Sequence, residues 1–489
     1  MSKRLRKICI CICAVAFVLL FSGGAFTVPT AAAPPSNEIF LFNPYRNVDF
    51  SASGWGRYRA DFHTHTTNSD GTYSPQELVR QASLVGIDIM AIADHDDWRF
   101  GRWDNLNEAH PDHTVLTYSQ VVGNRDLGNN EPNNDSSRAQ TWPWADFGVT
   151  DNHNLVPIQA TELTRFHHVG NFFTNFSDVT NSRSATGVWE QIEQATEHGQ
   201  GKERFEIFHP ERQITAEFNR SIGRATDTPT TVQQRMDWLN NESENALHNA
   251  QWYQDLFHEF DNILSIEVYN SNDRHPSRDL YDRIMRGMMP NRPVWLSANS
   301  DDHGPNTPSR SSQPTFAGGT TLGWSANIMM MPNRTETAFR ESWQQGAYFA
   351  SSFGRNNPAT IETQLGLEVG GRWDLVPTVK NIVVNEALGT ISITADNYTD
   401  IVWLTEDSVD VEIGSVINYR NAPGIVNYVR AVLTNTVELP NGNVAIVTTL
   451  TQPFGVGAYC EDSWYFHFTG PPAPVTPPPP IDGTGCNRN

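Results

Sequence analysis

Basic residues are scarce in this sequence of 489 residues, in which 34 Lys and Arg oppose 55 Asp and Glu. The formal net charge is therefore −21 at pH 7. A nucleic-acid backbone is bound by clustered Lys and Arg side chains, so this shortage argues against a nucleic-acid scaffold as the partner. The excess of acid is compatible with a protein that collects divalent cations, although it more often serves solubility alone.

Long apolar runs are also lacking, with one exception near the N-terminus. Residues 1–33 combine a basic start (MSKRLRK), a 14-residue apolar run (ICICICAVAFVLLF) and small residues suited to cleavage (AFTVPTAAA). This order predicts a secretory signal peptide, because the run is too short for a comfortable membrane span. An uncleaved anchor is the less favoured alternative. We therefore expect a secreted or periplasmic protein with no membrane span after cleavage.

Cysteine is rare, and three of the five cysteines belong to the predicted signal peptide. Cleavage would leave Cys460 and Cys486, which allow a single disulfide in an oxidising compartment. It would also remove four basic residues and no acidic one, taking the formal charge from −21 to −25. The sequence contains no GxSxG segment and no other catalytic-triad signature, so a serine or cysteine nucleophile has no support.

Short apolar runs alternate with helix-like stretches from about residue 59 to residue 303. Between the first two runs, YRADFHTH and IDIMAIADH, Ser74 is the predicted N-cap, Pro75 the first helical residue and Glu77 the capping-box partner. Gly86 then ends the helix. The strand–helix–strand order predicts a βαβ unit and hence a parallel sheet. Four further strands are predicted in NLVPIQATELT, FEIFHP, ILSIEVYN and PVWLSANSDDH.

Composition predicts where the chain divides. Two insertions interrupt the alternating pattern. The first, at about 99–152, is predicted to form a long loop, and the second, at about 219–260, is polar and partly compatible with a helix. Beyond about residue 358, β-branched and aromatic residues between turn signals predict a small antiparallel β domain. The predicted division is a signal peptide over 1–33, an α/β unit over 34–358, a β-rich domain over 359–470 and a Pro-rich tail over 471–489.

Each predicted strand of the α/β unit ends in residues that can bind a metal ion. The carboxyl ends of parallel strands meet at one edge of a sheet, so side chains far apart in sequence would converge there. Imidazole and carboxylate groups together suit Zn²⁺, Mn²⁺ or Fe²⁺. A lone histidine at a strand end is more often a core or loop residue, but here six strand ends repeat the pattern. The residues are His63 and His65, Asp94 and His95, Glu162, His209, Glu267 and Asn270, and Asp301 and His303.

These segments together resemble the PHP family, named for polymerase and histidinol phosphatase. DFHTHTTNSDGTYSPQELVRQASLVGIDIMAIADHDD resembles the first two motifs of that family run together. ATELT is similar to its glutamate motif, IFHP to its His-Pro motif, IEVYN to the strand before its late ligands, and NSDDHG to its final Asp-x-His. The resemblance covers about 57–305 without the insertions. It implies an α/β fold, a distorted (β/α)7 PHP-type barrel with a trinuclear metal centre, followed here by the antiparallel β domain.

The resemblance also implies a ligand set for two or three divalent ions (Zn, Mn or Fe). One ion would be held by His63, His65, Glu162 and Asp301. Glu162 would bridge to a second ion, which His209 completes with one further ligand, and the third would be held by Asp70, His95 and His303.

Five residues near these ligands carry alternatives or supporting roles. The further ligand of the second ion is His275, eight residues after Glu267, or Glu267 itself, and His275 is the first choice. Asp94, beside His95, is placed to orient a ligand rather than to bind an ion. Arg165 and His167, in ELTRFHH, are either phosphate contacts or solvated loop residues.

The chemistry expected of such a centre is hydrolysis. Close divalent ions lower the pKa of a bridging water and stabilise charge that develops on a phosphoryl group. We therefore expect a secreted metal-dependent phosphoesterase that cleaves small-molecule phosphomonoesters or phosphodiesters with a metal-bridging hydroxide. One alternative is the same centre acting on a carbamate, ester or amide, and a second is a secreted, metal-stapled binding module without catalysis. The residues expected to act in catalysis are His63, His65, Asp70, His95, Glu162, His209, Asp301 and His303.

Overall fold

A computed structural model describes most of the chain between residues 39 and 458. The described residues are 39–66, 69, 71–73, 75–95, 155–164, 166–174, 176, 185–210, 249–273, 275–304, 321–354, 356–406 and 409–458. Several sequence-based predictions lie outside these residues. They concern the signal peptide, Asp70, the insertion at 99–152, most of the insertion at 219–260, the remaining cysteines and the Pro-rich tail.

The described residues form a mixed α/β structure. The strands are β1 (Ile39–Phe42), β2 (Gly56–Asp61), β3 (Ile89–Ile92), β4 (Val156–Leu163), β5 (Val169–Phe172), β6 (Arg204–Ile207), β7 (Ile263–Asn270), β8 (Asn272–Asp273), β9 (Trp295–Asn299), β10 (Ser325–Met331), β11 (Tyr348–Ser352), β12 (Thr378–Asn385), β13 (Thr390–Asp396), β14 (Asp400–Leu404), β15 (Asp410–Ile413), β16 (Val416–Asn418), β17 (Tyr428–Glu438), β18 (Val444–Leu450) and β19 (Phe454–Ala458). The helices are α1 (Pro75–Leu84), α2 (Val188–Gly199), α3 (Ala250–Glu259), α4 (His275–Met288), α5 (Glu336–Gln345) and α6 (Pro358–Leu365), with a 3-10 helix over Gly371–Leu375.

All six strands predicted before residue 303 are present, as β2, β3, β4, β6, β7 and β9. The pairs β2–β3, β3–β4, β6–β7 and β7–β9 are parallel, which confirms the predicted pairing. Strand β5 was not predicted, and it pairs antiparallel with both β4 and β6. The connection from β4 to β5 covers only residues 164–168, which is too short for a parallel crossover and so requires a hairpin.

Helix α1 joins β2 to β3 as the sequence pattern predicts. Gly86, two residues beyond it, has φ +81°, a left-handed conformation that glycine adopts without steric cost. The carboxylate of Glu77 hydrogen-bonds the side chain of Arg80 at 2.6 and 2.8 Å, and the predicted cap Ser74 lies outside the described residues. The helix buries Leu78 against β3, so its apolar face covers the sheet.

Strand β10 extends the sheet on the far side of β2, in antiparallel pairing. The side chain of Asn327, on β10, donates to the carbonyl of Ala298, on β9, at 2.8 Å and accepts from its amide at 3.0 Å. Strands β9 and β10, which are not neighbours in the strand order, are therefore joined through one amide side chain, around a core that includes Phe62, Phe172 and Trp343. The α/β class is confirmed, and the sevenfold barrel count stays a prediction.

The C-terminal strands are antiparallel, as expected from their composition. Strands β12, β13 and β16 form a separate small sheet, whereas β18 pairs with β11 and so continues the large sheet. The segment before β2 contributes β1, which pairs antiparallel with β19. Its sequence, IFLF, is apolar enough to form an edge strand. The chain thus returns at its C-terminal end to pair with its first described strand.

A buried ion pair fastens helix α4 to strand β17. The guanidinium of Arg430 contacts the carboxylate of Asp282 through two hydrogen bonds, at 2.6 and 2.9 Å. The hydroxyl of Tyr428 donates to the same carboxylate at 2.7 Å. Both charged side chains are at most 1 % exposed, so each depends on the other for compensation of its buried charge.

Among the described residues, no helix has the length and apolar character required to cross a bilayer.

Candidate metal centre

The segment that follows β2 presents His63 and His65 on one side of an extended backbone. Thr64, between them, forms an isolated parallel bridge with Asp302, and the amide of His65 donates to the carbonyl of Asp302 at 2.8 Å. The hydroxyl of Thr64 donates to the carbonyl of Ala91 at 2.8 Å. Since alternate residues of an extended chain face opposite sides, Thr64 points to the neighbouring strand while the two imidazoles point to the site.

Glu162, fully buried at the end of β4, lies at the centre of the predicted ligands. Its Oε1 faces the imidazoles of His168 and His209, and its Oε2 faces those of His63, His65 and His95. The nitrogen–oxygen distances are 2.5 Å to His168, 2.9 Å to His95, 3.3 Å to His65 and His209, and 3.5 Å to His63. The carboxylate divides its contacts between two sides, as required of a ligand that bridges two ions.

Asp301 is the second carboxylate of the cluster. Its Oδ1 lies 3.4 Å from Nε2 of His63, 3.3 Å from Nε2 of His65 and 3.5 Å from Nδ1 of His303. Two imidazoles are thus shared between Asp301 and Glu162. This places negative charge on two sides of the paired histidines.

Within the described part of the chain, the donor atoms gather in four overlapping groups whose members lie within 4.8 Å of one another. Overlap of this kind is expected where neighbouring ions share ligands. The groups are His63, His65 and Asp301; His65, His95 and His303; His63, Glu162 and His209; and His95, Glu162 and His168.

The donor set fits divalent cations. Nε2 of His63 and Oε2 of Glu162 are buried, lie 3.5 Å apart and have no hydrogen-bond partner among the described residues. Leaving such atoms without a partner costs free energy, which an ion between them would recover. Imidazole nitrogen with carboxylate oxygen is the combination that Zn²⁺, Mn²⁺ and Fe²⁺ accept.

The pKa values of the candidate ligands shift in different ways within the site. Burial raises the pKa of Glu162, but the imidazoles of His95, His168 and His63 outweigh it and bring the pKa well below its ordinary value. Burial and the nearby His303 lower the pKa of His65 to about 3. His65 therefore presents a neutral imidazole, the form that binds metal, to an ionised Glu162.

The pKa of His63 moves the other way. Burial lowers it, but the carboxylates of Asp301, Glu162 and Glu267 raise it well above its ordinary value. In the metal-free protein this shift favours the doubly protonated, charged imidazolium of His63. Ion binding at this imidazole must release a proton, so metal affinity at the site depends on pH.

Two predicted ligands have strained backbones. His209 has φ +26° and Asp301 has φ +48°, which are unusual for residues with a side chain. Such conformations cost about 1–3 kcal/mol each and persist only where surrounding contacts impose them. Both residues follow the ends of strands of the sheet, β6 and β9, where the strain turns their side chains toward Glu162 and His65.

The structure brings together most of the predicted site residues, none more than 7 % exposed: His63, His65, His95, Glu162, His209, Asp301 and His303. Asp70 lies outside the described residues. His275 is the first residue of α4, and its side chain also lies outside the described part. Glu267 contacts His63 and the backbone of His209 and belongs to none of the four groups.

His168 joins the cluster although the sequence pattern left it out. It precedes β5, the strand that returns antiparallel to β4 and so brings its imidazole to Glu162. His167 points away from the site, with Nε2 2.9 Å from the hydroxyl of Tyr253 and its ring stacked on Trp252. The signal that could have identified His168 is its position before the apolar run VGNFF, which predicts a strand. Arg165 lies outside the described residues.

Asp94 organises the loop that follows His65. Its Oδ1 accepts from the amide of Thr66 at 2.7 Å and from the hydroxyl of Ser69 at 2.6 Å, and its Oδ2 accepts from the hydroxyl of Thr66 at 2.6 Å. The carboxylate of Asp94 therefore fixes the backbone directly after His65. This contact agrees with the orienting role expected from its place beside His95.

Comparison with known proteins gives short or distant matches. No protein-family model matches the chain. A 36-residue segment is 50 % identical to a 5'-3' exoribonuclease of Haemophilus influenzae, and the match spans 7 % of this chain and only 13 % of that protein's length.

The solved structures that match this chain share 12–14 % sequence identity with it. A two-domain protein of Bacteroides vulgatus containing a predicted PHP-like metal-dependent phosphoesterase has a TM-score of 0.36, over 85 % of this chain and 99 % of its own. A predicted metal-dependent phosphoesterase of Bifidobacterium adolescentis has a TM-score of 0.27, over 58 % and 96 %. An amidohydrolase of Chromobacterium violaceum, solved with sulfate and no metal, has a TM-score of 0.23, over 50 % and 86 %.

Proposed function

We propose that this protein is a PHP-type metal-dependent hydrolase that cleaves phosphoester bonds of a small molecule with two or three divalent ions. The observation that carries the proposal is the position of Glu162, a buried and ionised carboxylate within 3.5 Å of five imidazoles. A structural role alone does not require so many buried titratable groups, because each costs free energy to desolvate.

The four groups indicate which residues would hold the ions. His63, His65 and Asp301 would serve one position, and Glu162 with His209 a second. His65, His95 and His303 surround a third, and His168 adds a nitrogen on the Oε1 side of Glu162. When bound, divalent ions polarise a phosphoryl group and lower the pKa of water, so that hydrolysis proceeds without a protein nucleophile.

The remaining contribution of the chain is to fix these groups in place. The surrounding imidazoles lower the pKa of Glu162 well below its ordinary value, so the carboxylate offers two charged oxygens to incoming ions. Asp94 holds the loop after His65. Among the described residues of the four groups, His168 has the most exposed side chain, at 13 % against 0 % for Glu162.

The experiment uses residues 34–489, purified without chelators. Bound metal is measured by elemental analysis, and turnover of bis-p-nitrophenyl phosphate, p-nitrophenyl phosphate and a panel of carboxyl esters and amides is measured with added Mn²⁺ or Zn²⁺. We expect two or three ions per chain and phosphoester turnover that His63→Ala abolishes. His258→Ala is the matched control, since His258 is exposed on α3.

Other outcomes would replace the proposal. Metal with turnover of esters or amides alone would assign the same centre to carboxyl chemistry. Metal with no turnover of any panel member, and stability lost in His303→Ala, would indicate a metal-stapled binding module. Absence of metal after reconstitution would contradict the centre itself.

A further inference from the structure

Glu267 is a buried carboxylate behind the candidate metal centre. It lies on β7, a strand buried along its whole length, and is itself 1 % exposed. Its Oε1 lies 3.3 Å from Nδ1 of His63, and its Oε2 accepts a hydrogen bond of 2.6 Å from the backbone amide of His209. One side chain therefore contacts two candidate ligands that come from the ends of two other strands, β2 and β6.

The contact with His63 selects which nitrogen faces the site. Nδ1 faces a carboxylate and must carry a proton to hydrogen-bond it, whereas Nε2 faces Glu162 at 3.5 Å and Asp301 at 3.4 Å. A neutral imidazole with its proton on Nδ1 leaves the Nε2 lone pair for an ion. The ring of Phe208 stacks on His63 with centroids 3.7 Å apart, which limits rotation of the imidazole.

The contact with His209 supports a strained backbone. At φ +26° this residue would relax if nothing held it, and the amide hydrogen bond to a carboxylate is of the short, strong kind. The same conformation brings Nε2 of His209 to 3.3 Å from Oε1 of Glu162. Without the carboxylate, the buried amide would lose its partner and the imidazole its position.

The remaining contacts of Glu267 hold the carboxylate itself. The side-chain amide of Asn270 donates to Oε2 at 3.0 Å, and that of Asn299 donates to Oε1 at 3.1 Å. Four donors thus occupy the two oxygens, which matches the acceptor capacity of a carboxylate and leaves no lone pair directed at an ion. Asn299 is held in turn, since its Oδ1 accepts from the amide of Phe62 at 3.0 Å.

We propose that Glu267 is a positioning residue that fixes the imidazole of His63 and the backbone of His209 for ion binding. The inference rests on the proposed function, because it concerns the same metal centre. Glu267 then acts through the two histidines rather than as the further ligand of the second ion.

The test compares Glu267→Gln with wild type in metal affinity rather than in activity. Gln keeps the shape but cannot accept hydrogen bonds at both positions, so we expect affinity for Zn²⁺ and Mn²⁺, measured by competition with a chelating dye, to fall about 10- to 100-fold. The visible absorption of the Co²⁺-loaded protein should change as well, because it reports ligand geometry. Glu203→Gln is the matched control, since Glu203 is buried and contacts Asn262, away from the centre.

The outcomes separate the two proposals. Wild-type protein that binds no metal would refute the proposed function, and the positioning role with it. Metal binding by wild type with unchanged affinity and Co²⁺ spectrum in a folded Glu267→Gln variant would refute the positioning role alone. Should that variant not fold, Glu267→Asp keeps the charge and withdraws the oxygens by one methylene. Wild-type affinity in Glu267→Asp would equally overturn the inference.

Discussion

Glu206 offers a sharp test of the electrostatics beneath the candidate metal centre. It is fully buried on β6, where its Oε1 accepts hydrogen bonds from the hydroxyl of Ser297 and, at 2.8 Å, from the side-chain amide of Asn299. Its Oε2 is buried and has no hydrogen-bond partner in the described ranges. Burial, with the charge of Glu267 as the next cause, raises the pKa of Glu206 to about 8.

The sign of the effect follows from proton counts. Below pH 4.5, the ordinary value for Glu, the folded and unfolded chains both hold the proton. Between pH 4.5 and about 8 the folded chain keeps it while the unfolded chain has lost it, so stability falls as pH rises through this window. The slope reaches about 1.4 kcal/mol per pH unit only where the group is ionised in the unfolded chain and protonated in the folded one. Because this condition is only partly met near pH 5 and near pH 8, the loss between these values sums to about 3 kcal/mol.

Glu206→Gln removes this titration while keeping the shape of the side chain. We expect the free energy of unfolding of the variant, relative to wild type, to rise by about 3 kcal/mol from pH 5 to pH 8. Urea titrations of the metal-free proteins at several pH values measure the difference, and Glu190→Gln, exposed on α2, controls for the chemical change. A difference that does not vary with pH would refute the reasoning, since Glu206 would then be ionised in the folded protein.

Further predictions concern the ion pair, the missed histidine and one helix end. Asp282→Asn leaves the buried charge of Arg430 uncompensated and should lower the free energy of unfolding in urea by about 3–5 kcal/mol. Because the pair is shielded from solvent, we expect an equal loss in high salt and low salt, and a loss that differs between the two would contradict its burial. His168→Ala should weaken metal binding about 10-fold or more, with His167→Ala close to wild type in the same dye competition; the reverse order would contradict the assignment of His168. Gly346→Ala, at φ +70°, would place a Cβ 2.7 Å from the ring of Trp295 and should lower thermal stability by about 2 kcal/mol or more; an unchanged melting temperature would contradict the strain.

Local patterns in the sequence determined much of this fold. The strands with their terminal His, Asp and Glu residues were predictable because apolar runs that stop at polar residues are a property of short segments. Helix α1 was predictable because its Pro75 start and Gly86 end are set by backbone chemistry at single positions. The convergence of His63, Glu162 and Asp301 followed from the rule that parallel strands present their carboxyl ends at one edge.

Tertiary structure alone decided the features that depend on contacts between distant segments. The pairing of β1 with β19 joins residues more than four hundred positions apart, and nothing within IFLF specifies that partner. The choice of His168 over His167 depended on which residue of the hairpin faces β4, because a shift of one residue reverses the side-chain direction. The position of Glu267 behind His63, with the strained backbone of His209 held against it, arises from three strands packed together. Sequence patterns report the chemistry available at each strand end, whereas the direction of each side chain is set by packing that no single segment contains.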